Sequence, residues 1–265
     1  QQASAFKNVL VLRQTNKGKG AALNYGLQHA KGEFVSCLDA DSYMRPNSLK
    51  QLIPYFVDKR MGAVICAIRA KNTERILEKL QRLEYIFAAF MRKLMSIVNT
   101  LYITPGVLST YRTSVLRRLG GFDEDRNNLT EDFEVALHLH SEGYKVKIET
   151  KSIGYTNVPR TLHAHYNQRV RWYRGFIYNT FKYKHMIFNN KYGMMGIFQL
   201  PLAILSVLML FTTFSILGYQ IIHKSVGFIA DIFILRANFF IMFKIPNIKL
   251  TLLNLDIRIW FPIAI

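Results

Sequence analysis

Cysteine is nearly absent from this chain. Cys37 and Cys66 lie in apolar runs with no C-x-x-C spacing and no histidine beside them, which argues against a zinc ribbon or a disulfide framework and predicts two buried, reduced thiols. Acidic residues are scarce as well: 17 stand against 35 Lys and Arg, a formal charge of +18. No zinc-finger, RNP or helix-turn-helix pattern accompanies that charge, so nucleic acid is not the expected partner. The cationic excess suits two other roles, a surface held against anionic lipid and a site for an anionic substrate such as a nucleotide diphosphate. A signal peptide, an initiating Met, an internal repeat and a low-complexity linker are all missing. The sequence reads as a fragment that starts in mid-domain.

Long apolar runs are missing from the first two thirds and crowd into the last. Residues 194–222 contain no charged side chain, and about 20 apolar residues suffice to cross a bilayer core. A transmembrane helix is expected there, with Pro201 tolerated near its start. Weaker apolar stretches follow at 226–243, interrupted by Asp231 and Arg236, and at 245–265. Arg169, Arg171, Arg174, Lys182, Lys184 and Lys191 precede the span, which orients the soluble part toward the cytoplasm. The expected arrangement is a cytoplasmic domain over 1–176 and an interfacial and transmembrane region over 177–265, in a multi-pass protein of the cell membrane.

The soluble part alternates strand and helix patterns, the signature of an α/β fold with a mostly parallel sheet between helices. Strands are expected at 8–13, 33–38, 62–70 and 145–149, and helices at about 21–29, 47–56, 73–98 and 133–142, with a short one after 112. Residues 104–112 read as a loop of small residues. In the long helix Ile76, Leu80, Leu83, Phe87, Phe90, Leu94 and Val98 recur every three or four positions. That stripe faces a core or, given the basic residues between, lies at a membrane interface.

Four short stretches bear on chemistry, and each has a plain structural reading beside the functional one. In N-K-G-K-G-A-A-L-N, 16–24, glycines let backbone N–H groups approach an anion at a helix start, though an ordinary glycine turn has the same composition. D-A-D, Asp39 to Asp41, ends an apolar strand; on a strand its carboxylates share a face about 6–7 Å apart. One Mg²⁺ with oxygens at about 2.0–2.1 Å does not easily take both. L-T-E-D, 129–132, is an N-terminal helix cap or an acid pair. Q-R-V-R-W, 168–172, places Gln168, Arg171 and Trp172 within about one helical turn, as in a basic, Trp-anchored interfacial helix. His163 and His165 read as surface or interfacial histidines rather than a metal pair.

In this order the four stretches resemble the processive family 2 glycosyltransferases, the membrane synthases of cellulose, chitin, hyaluronan and poly-N-acetylglucosamine. Gly18, Lys19 and Asn24 match the glycine turn, Asp39 and Asp41 the D-x-D, Glu131 and Asp132 the T-E-D, and Gln168, Arg171 and Trp172 the Q-x-x-R-W. Q-R-L-E-Y at 81–85 and G-G-F-D-E-D at 120–125 also look like family features. The family's first strand and early aspartate would precede residue 1.

The resemblance implies a GT-A-type fold and an inverting transfer from a nucleotide-activated sugar, with UDP-N-acetylglucosamine the favoured donor, to a growing β-linked polysaccharide or a glycolipid acceptor. It implies Mg²⁺ or Mn²⁺ at the D-x-D, with Asp41 nearer the metal and Asp39 nearer hydroxyls. Asp132, beside Glu131, is then the catalytic base; Lys19 and Arg171 meet the nucleotide-sugar, and Gln168 and Trp172 the acceptor. The rival readings are a non-processive transfer to a lipid carrier and an inactive, membrane-anchored assembly partner of a synthase.

Overall fold

The computed structural model describes residues 8–234. Among them five strands, β1 (Phe34–Cys37), β2 (Ser42–Met44), β3 (Met61–Ala70), β4 (Ser109–Arg112) and β5 (Lys145–Thr156), form one sheet in the order β1-β4-β3-β5-β2. The apolar run M-G-A-V-I-C-A-I-R-A becomes β3, buried along almost its whole length, because a strand covered on both faces needs no polar alternation. Its residues divide by parity: Ala63 and Ile65 enter one core with Leu27, Tyr111, Val135 and Ile148, while Val64, Cys66 and Ile68 enter another with Leu52, Phe56 and Leu108.

The sheet corrects one expectation. β1, β3 and β5 run the same way, but β4 lies between β1 and β3 antiparallel to both, and β2 runs antiparallel to β5. The β3–β5 ladder is the parallel one, so the sheet is mixed rather than mostly parallel. β4 resembled a loop because it is built of Ser109 and Thr110, small polar residues that the sheet buries. Their hydroxyls are satisfied, Thr110 by the Ser36 hydroxyl at 2.7 Å and Ser109 by the Pro105 carbonyl, which makes the burial tolerable. β5 outruns its expected end at residue 149 because the pairing skips from Cys66 with Glu149 to Ala67 with Ile153, a bulge that hides the polar T-K-S from the ladder. The expected strand at 8–13 does not form. Val9, Leu10 and Val11 are exposed coil, and an apolar β-rich run without a neighbouring strand has no ladder to join.

The helices are α1 (Lys19–His29), α2 (Ser48–Leu52), α3 (Ile76–Ile97), α4 (Thr113–Arg118), α5 (Glu131–Ser141), α6 (Leu162–Lys182) and α7 (Leu200–Ile234). α2 passes into a 3₁₀ turn at Ile53–Val57, since Pro54 has no N–H to donate back to Lys50. α3 turns its expected apolar stripe away from the core, although its Met95 and Tyr85 pack against the two cores. It buries Glu78, Gln81 and Ser96 and turns Ile76, Leu80, Leu83 and Phe90 to solvent. Behind α6, Tyr183, Met186, Met195 and Leu200 close a third apolar cluster on Phe133 and Leu137 of α5.

The chain separates into two compact units at Leu200 and Pro201. Among the described residues, one helix is long and apolar enough to cross a membrane, Met195–Gly227. α7 continues unbroken from residue 222 to Ile234, so no turn separates the first expected span from the start of the second stretch. The remainder, 235–265, lies outside the described residues.

Candidate active site

The two motif acids follow β1 in a turn, not on a strand. The Asp39 N–H donates to the Gly106 carbonyl at 2.7 Å and the Ser42 N–H to the Asp39 carbonyl at 3.0 Å. The chain thus reverses immediately after Cys37, and the same-face spacing of a strand no longer governs the carboxylates. Asp41 is exposed, and its nearest polar partner is the Ser42 hydroxyl at 3.3 Å.

Lys19 opens α1 behind Gly18, whose φ of +99° is a conformation glycine adopts without strain. The Lys19 ammonium lies 2.8 Å from Asp39 Oδ1 and 2.8 Å from Glu131 Oε1. One cation therefore joins the glycine turn, the D-x-D and the T-E-D. Burial works against its charge, yet Glu131 and Asp39 together hold its pKa above the ordinary lysine range.

α5 starts earlier than the sequence pattern indicates, so Glu131 and Asp132 occupy its first turn, where the helix dipole favours acids. Thr130 does not cap it with its side chain. Its hydroxyl instead accepts from the Asn179 amide of α6 at 3.1 Å, and a Cβ on Gly175 would come within 2.1 Å of it. Glycine at 175 is what lets α6 approach this close. Thr104 fixes the other side, its N–H and hydroxyl donating to the Asp132 carbonyl at 3.0 and 2.8 Å. Burial, then the neighbouring Glu131 charge, raises the Asp132 pKa to about 6, with Lys19 opposing. Burial also pushes the Cys37 thiol up to about 12, so Cys37 is inert at neutral pH.

Thr104 and Gly106 escaped the sequence reading. A Cβ at Gly106 would lie 2.4 and 2.5 Å from the Asp39 carboxylate oxygens, so this glycine makes room for Asp39 while Thr104 anchors Asp132. The T-P-G triplet was the available signal, and its composition is that of any turn. Asn24 does what its place in the glycine motif hints at. Its amide donates to the Phe122 carbonyl at 2.8 Å and to Glu124 at 2.7 Å, and its oxygen accepts the Phe122 N–H. α1 is thereby pinned to the G-G-F-D-E-D loop.

A small pocket lined by Lys19, Leu23, Cys37, Thr104, Gly106, Tyr111, Phe122, Glu131 and Asp132 forms the floor of the site. A larger hollow of about 590 Å³, between Phe34, Lys50, Pro54, Phe56 and Val57, shares none of these residues. Among the described residues, no side chain of Gln168, Arg171 or Trp172 bonds to Lys19, Asp39, Glu131 or Asp132. Arg171 is exposed on α6 and makes no ion pair among the described residues. The guanidinium stacked on Trp172, 4.5 Å from the ring, belongs to Arg169, which also pairs with Glu84 at 2.5 Å. The Gln168 side-chain oxygen is buried with no hydrogen-bond partner among the described residues. His163 and His165 bond to Asn167 and Gln81 respectively. Among the described residues no three His, Cys, Asp or Glu side chains gather as a metal cage; Asp41 and Asp39 fit the alternative, in which one or two carboxylates share a divalent ion with substrate phosphates.

A family model described as glycosyl transferase family group 2 matches residues 34–246. The chain is 33% identical over 169 residues to a poly-beta-1,6-N-acetyl-D-glucosamine synthase of Staphylococcus aureus (strain COL), covering 63% of this chain and 40% of that protein. A synthase of the same name from Staphylococcus epidermidis is 33% identical over 164 residues, covering 61% and 39%. The chain thus spans about two fifths of the length of these relatives. Among solved structures, a mannosyltransferase from Pyrobaculum calidifontis in complex with GDP-Man and Mn²⁺ superposes with a TM-score of 0.54 at 26% identity, over 66% of this chain and 46% of that one.

Proposed function

The chain belongs to glycosyl transferase family group 2, and from that premise we propose a membrane-bound, inverting transfer from a UDP-sugar to a growing β-linked polysaccharide. UDP-N-acetylglucosamine is the donor we favour, on the 33% identity to the poly-N-acetylglucosamine synthases. The carrying observation is Lys19, 2.8 Å from both Asp39 and Glu131, which supports one site made from motifs far apart in the chain. The apolar helix Met195–Gly227 supports attachment to a bilayer.

Asp132 is assigned as the base. With a pKa raised to about 6, it is ionised at neutral pH yet more basic than an ordinary aspartate, the compromise that general-base catalysis favours. It takes the proton of the acceptor hydroxyl as that oxygen bonds to the anomeric carbon and the bond from that carbon to the diphosphate oxygen breaks. Lys19 and the exposed Arg171 meet charge developing on the departing nucleotide diphosphate, while Gln168 and Trp172 bind the acceptor. Asp41, with Asp39 beside it, would hold Mg²⁺ or Mn²⁺, which when bound supplies Lewis-acid stabilisation of the leaving group.

The test is sugar incorporation by the full-length protein in membranes, with sizing of the product. A long polymer made from UDP-N-acetylglucosamine, lost in Asp132→Asn, is the expected result. Normal turnover by that variant removes the assigned base, and a single-sugar lipid product replaces the polysaccharide reading.

A further inference from the structure

α3 carries its longest apolar stripe on its exposed face. At 3.6 residues per turn, Ile76, Leu80, Leu83, Phe87, Phe90 and Leu94 fall within about 40° of one line along it. Ile76, Leu83 and Phe90 are 77%, 64% and 57% exposed. The opposite side makes the inward contacts: Tyr85 packs on the core and Ala89 is buried, Glu78 pairs with Arg160 at 3.2 Å, Gln81 bonds to His165 at 3.2 Å, and Glu84 on the flank pairs with Arg169 of α6. Glu78 also caps its own helix, accepting the N–H groups of Glu74 and Arg75 at 2.7 and 2.9 Å.

These contacts withdraw both acids of α3 from its outer surface. Arg75, Lys79, Arg82 and Lys93 all fall about 60–120° to one side of the apolar line, so the stripe has a cationic margin with no acid along it. Burying an apolar stripe against another protein does not call for a one-signed margin. Lying in the headgroup layer of an anionic membrane does, because the apolar face enters the acyl boundary while the cations meet lipid phosphates.

We propose that the outer face of α3 is a docking surface for an anionic bilayer, holding the catalytic domain on the membrane independently of the apolar helix α7. The inference rests on the membrane-bound reading of the protein and adds to it a second attachment, made by the catalytic domain itself.

The experiment uses the full chain in vesicles of phosphatidylcholine with or without phosphatidylserine. An environment-sensitive fluorophore is placed in turn at Leu83→Cys, Phe90→Cys, Leu208→Cys in α7 and Lys50→Cys in α2, against a control without added cysteine, and lipids carrying a nitroxide on the acyl chain serve as quenchers. Leu83 and Phe90 are exposed, so their substitution leaves the core untouched. The expected result is quenching at positions 83 and 90 that strengthens with phosphatidylserine, and none at 50. Arg82→Gln should reduce the docked-to-undocked ratio about fivefold, the weight of one cation at such a surface. Quenching at 208 but not at 83 or 90 overturns the docking surface and leaves the membrane reading intact. Absence of quenching at all three positions overturns both. Concentration-dependent energy transfer between labelled copies at position 83, without lipid quenching, overturns the proposal in favour of a second copy of the chain.

Discussion

Replacing Asp132 by Asn should stabilise the protein while disabling it. The Asp132 carboxyl titrates at about 6 in the fold against 3.8 in an open chain, chiefly because it is buried and lies beside Glu131. A carboxyl with a raised folded pKa prefers its proton in the native state, so ionising it costs stability. The cost is absent below about pH 4, grows as the pH rises through about 6, and is constant above. At about 1.4 kcal/mol per tenfold, the gap between 3.8 and about 6 sets a ceiling of roughly 3 kcal/mol, which solvent reaching the partly accessible side chain lowers. Asparagine keeps an oxygen to accept the Phe133 N–H, now 2.9 Å from Asp132 Oδ1, and carries no charge. Thermal unfolding of the full-length protein in detergent should therefore show Asp132→Asn melting higher at pH 8, by up to roughly 5–10 °C, with the difference shrinking toward zero at pH 4. Turnover should fall by about 10²–10⁴. A melting difference that is the same at both pH values, or a destabilised variant at pH 8, would refute the burial argument whatever happened to the activity.

Turnover in the parent protein should rise with pH through about 6 as Asp132 ionises, and Lys19→Met should move that limb upward, since the ammonium now lowers the Asp132 pKa; a pH–rate profile of each checks this. Gly106→Ala should push the Asp39 carboxylate from its place, because the new Cβ meets its oxygens at 2.4 and 2.5 Å. Calorimetric titration with UDP and Mn²⁺ is expected to show about tenfold or greater loss, in line with the cost of overpacking. Gly175→Ala should drive Thr130 from α6 and destabilise by about 1–3 kcal/mol, with a matching loss of turnover because Glu131 and Asp132 follow directly; unchanged melting would contradict the close approach at 2.1 Å.

The alternation of apolar runs and helix patterns sufficed to indicate strands at β1, β3 and β5 running the same way, and the central β3 could be drawn to within a residue or two. β2 and β4 were illegible because short strands of Ser, Thr and Tyr gain their character from the neighbours they pair with, not from their own hydropathy. The exposed run 8–13 shows the converse: β propensity without a partner makes no strand. The periodicity of α3 was plain, yet periodicity gives a stripe without saying which way it faces. Only the contacts of Glu78 with Arg160 just ahead of α6, and of Gln81 and Glu84 with His165 and Arg169 on it, decided that the apolar stripe faces outward.

The site divides along the same line. The sequence by itself determined which chemical groups are present and in what order, because motif residues such as Lys19, Asp39, Glu131, Asp132 and Arg171 are recognisable by type and spacing within each stretch. It also determined that residues 194–222 make one long apolar helix, since charge-free length is a property of the chain alone. Tertiary structure decided everything that depends on residues distant in sequence: the Lys19 bridge from Asp39 to Glu131, the loop at Thr104 and Gly106 that sets both acids, and the approach of α6 to Thr130 at Gly175. Those contacts join residues 20 to 112 positions apart, and no local pattern encodes a distance between segments that only the packing of the sheet and its helices brings together.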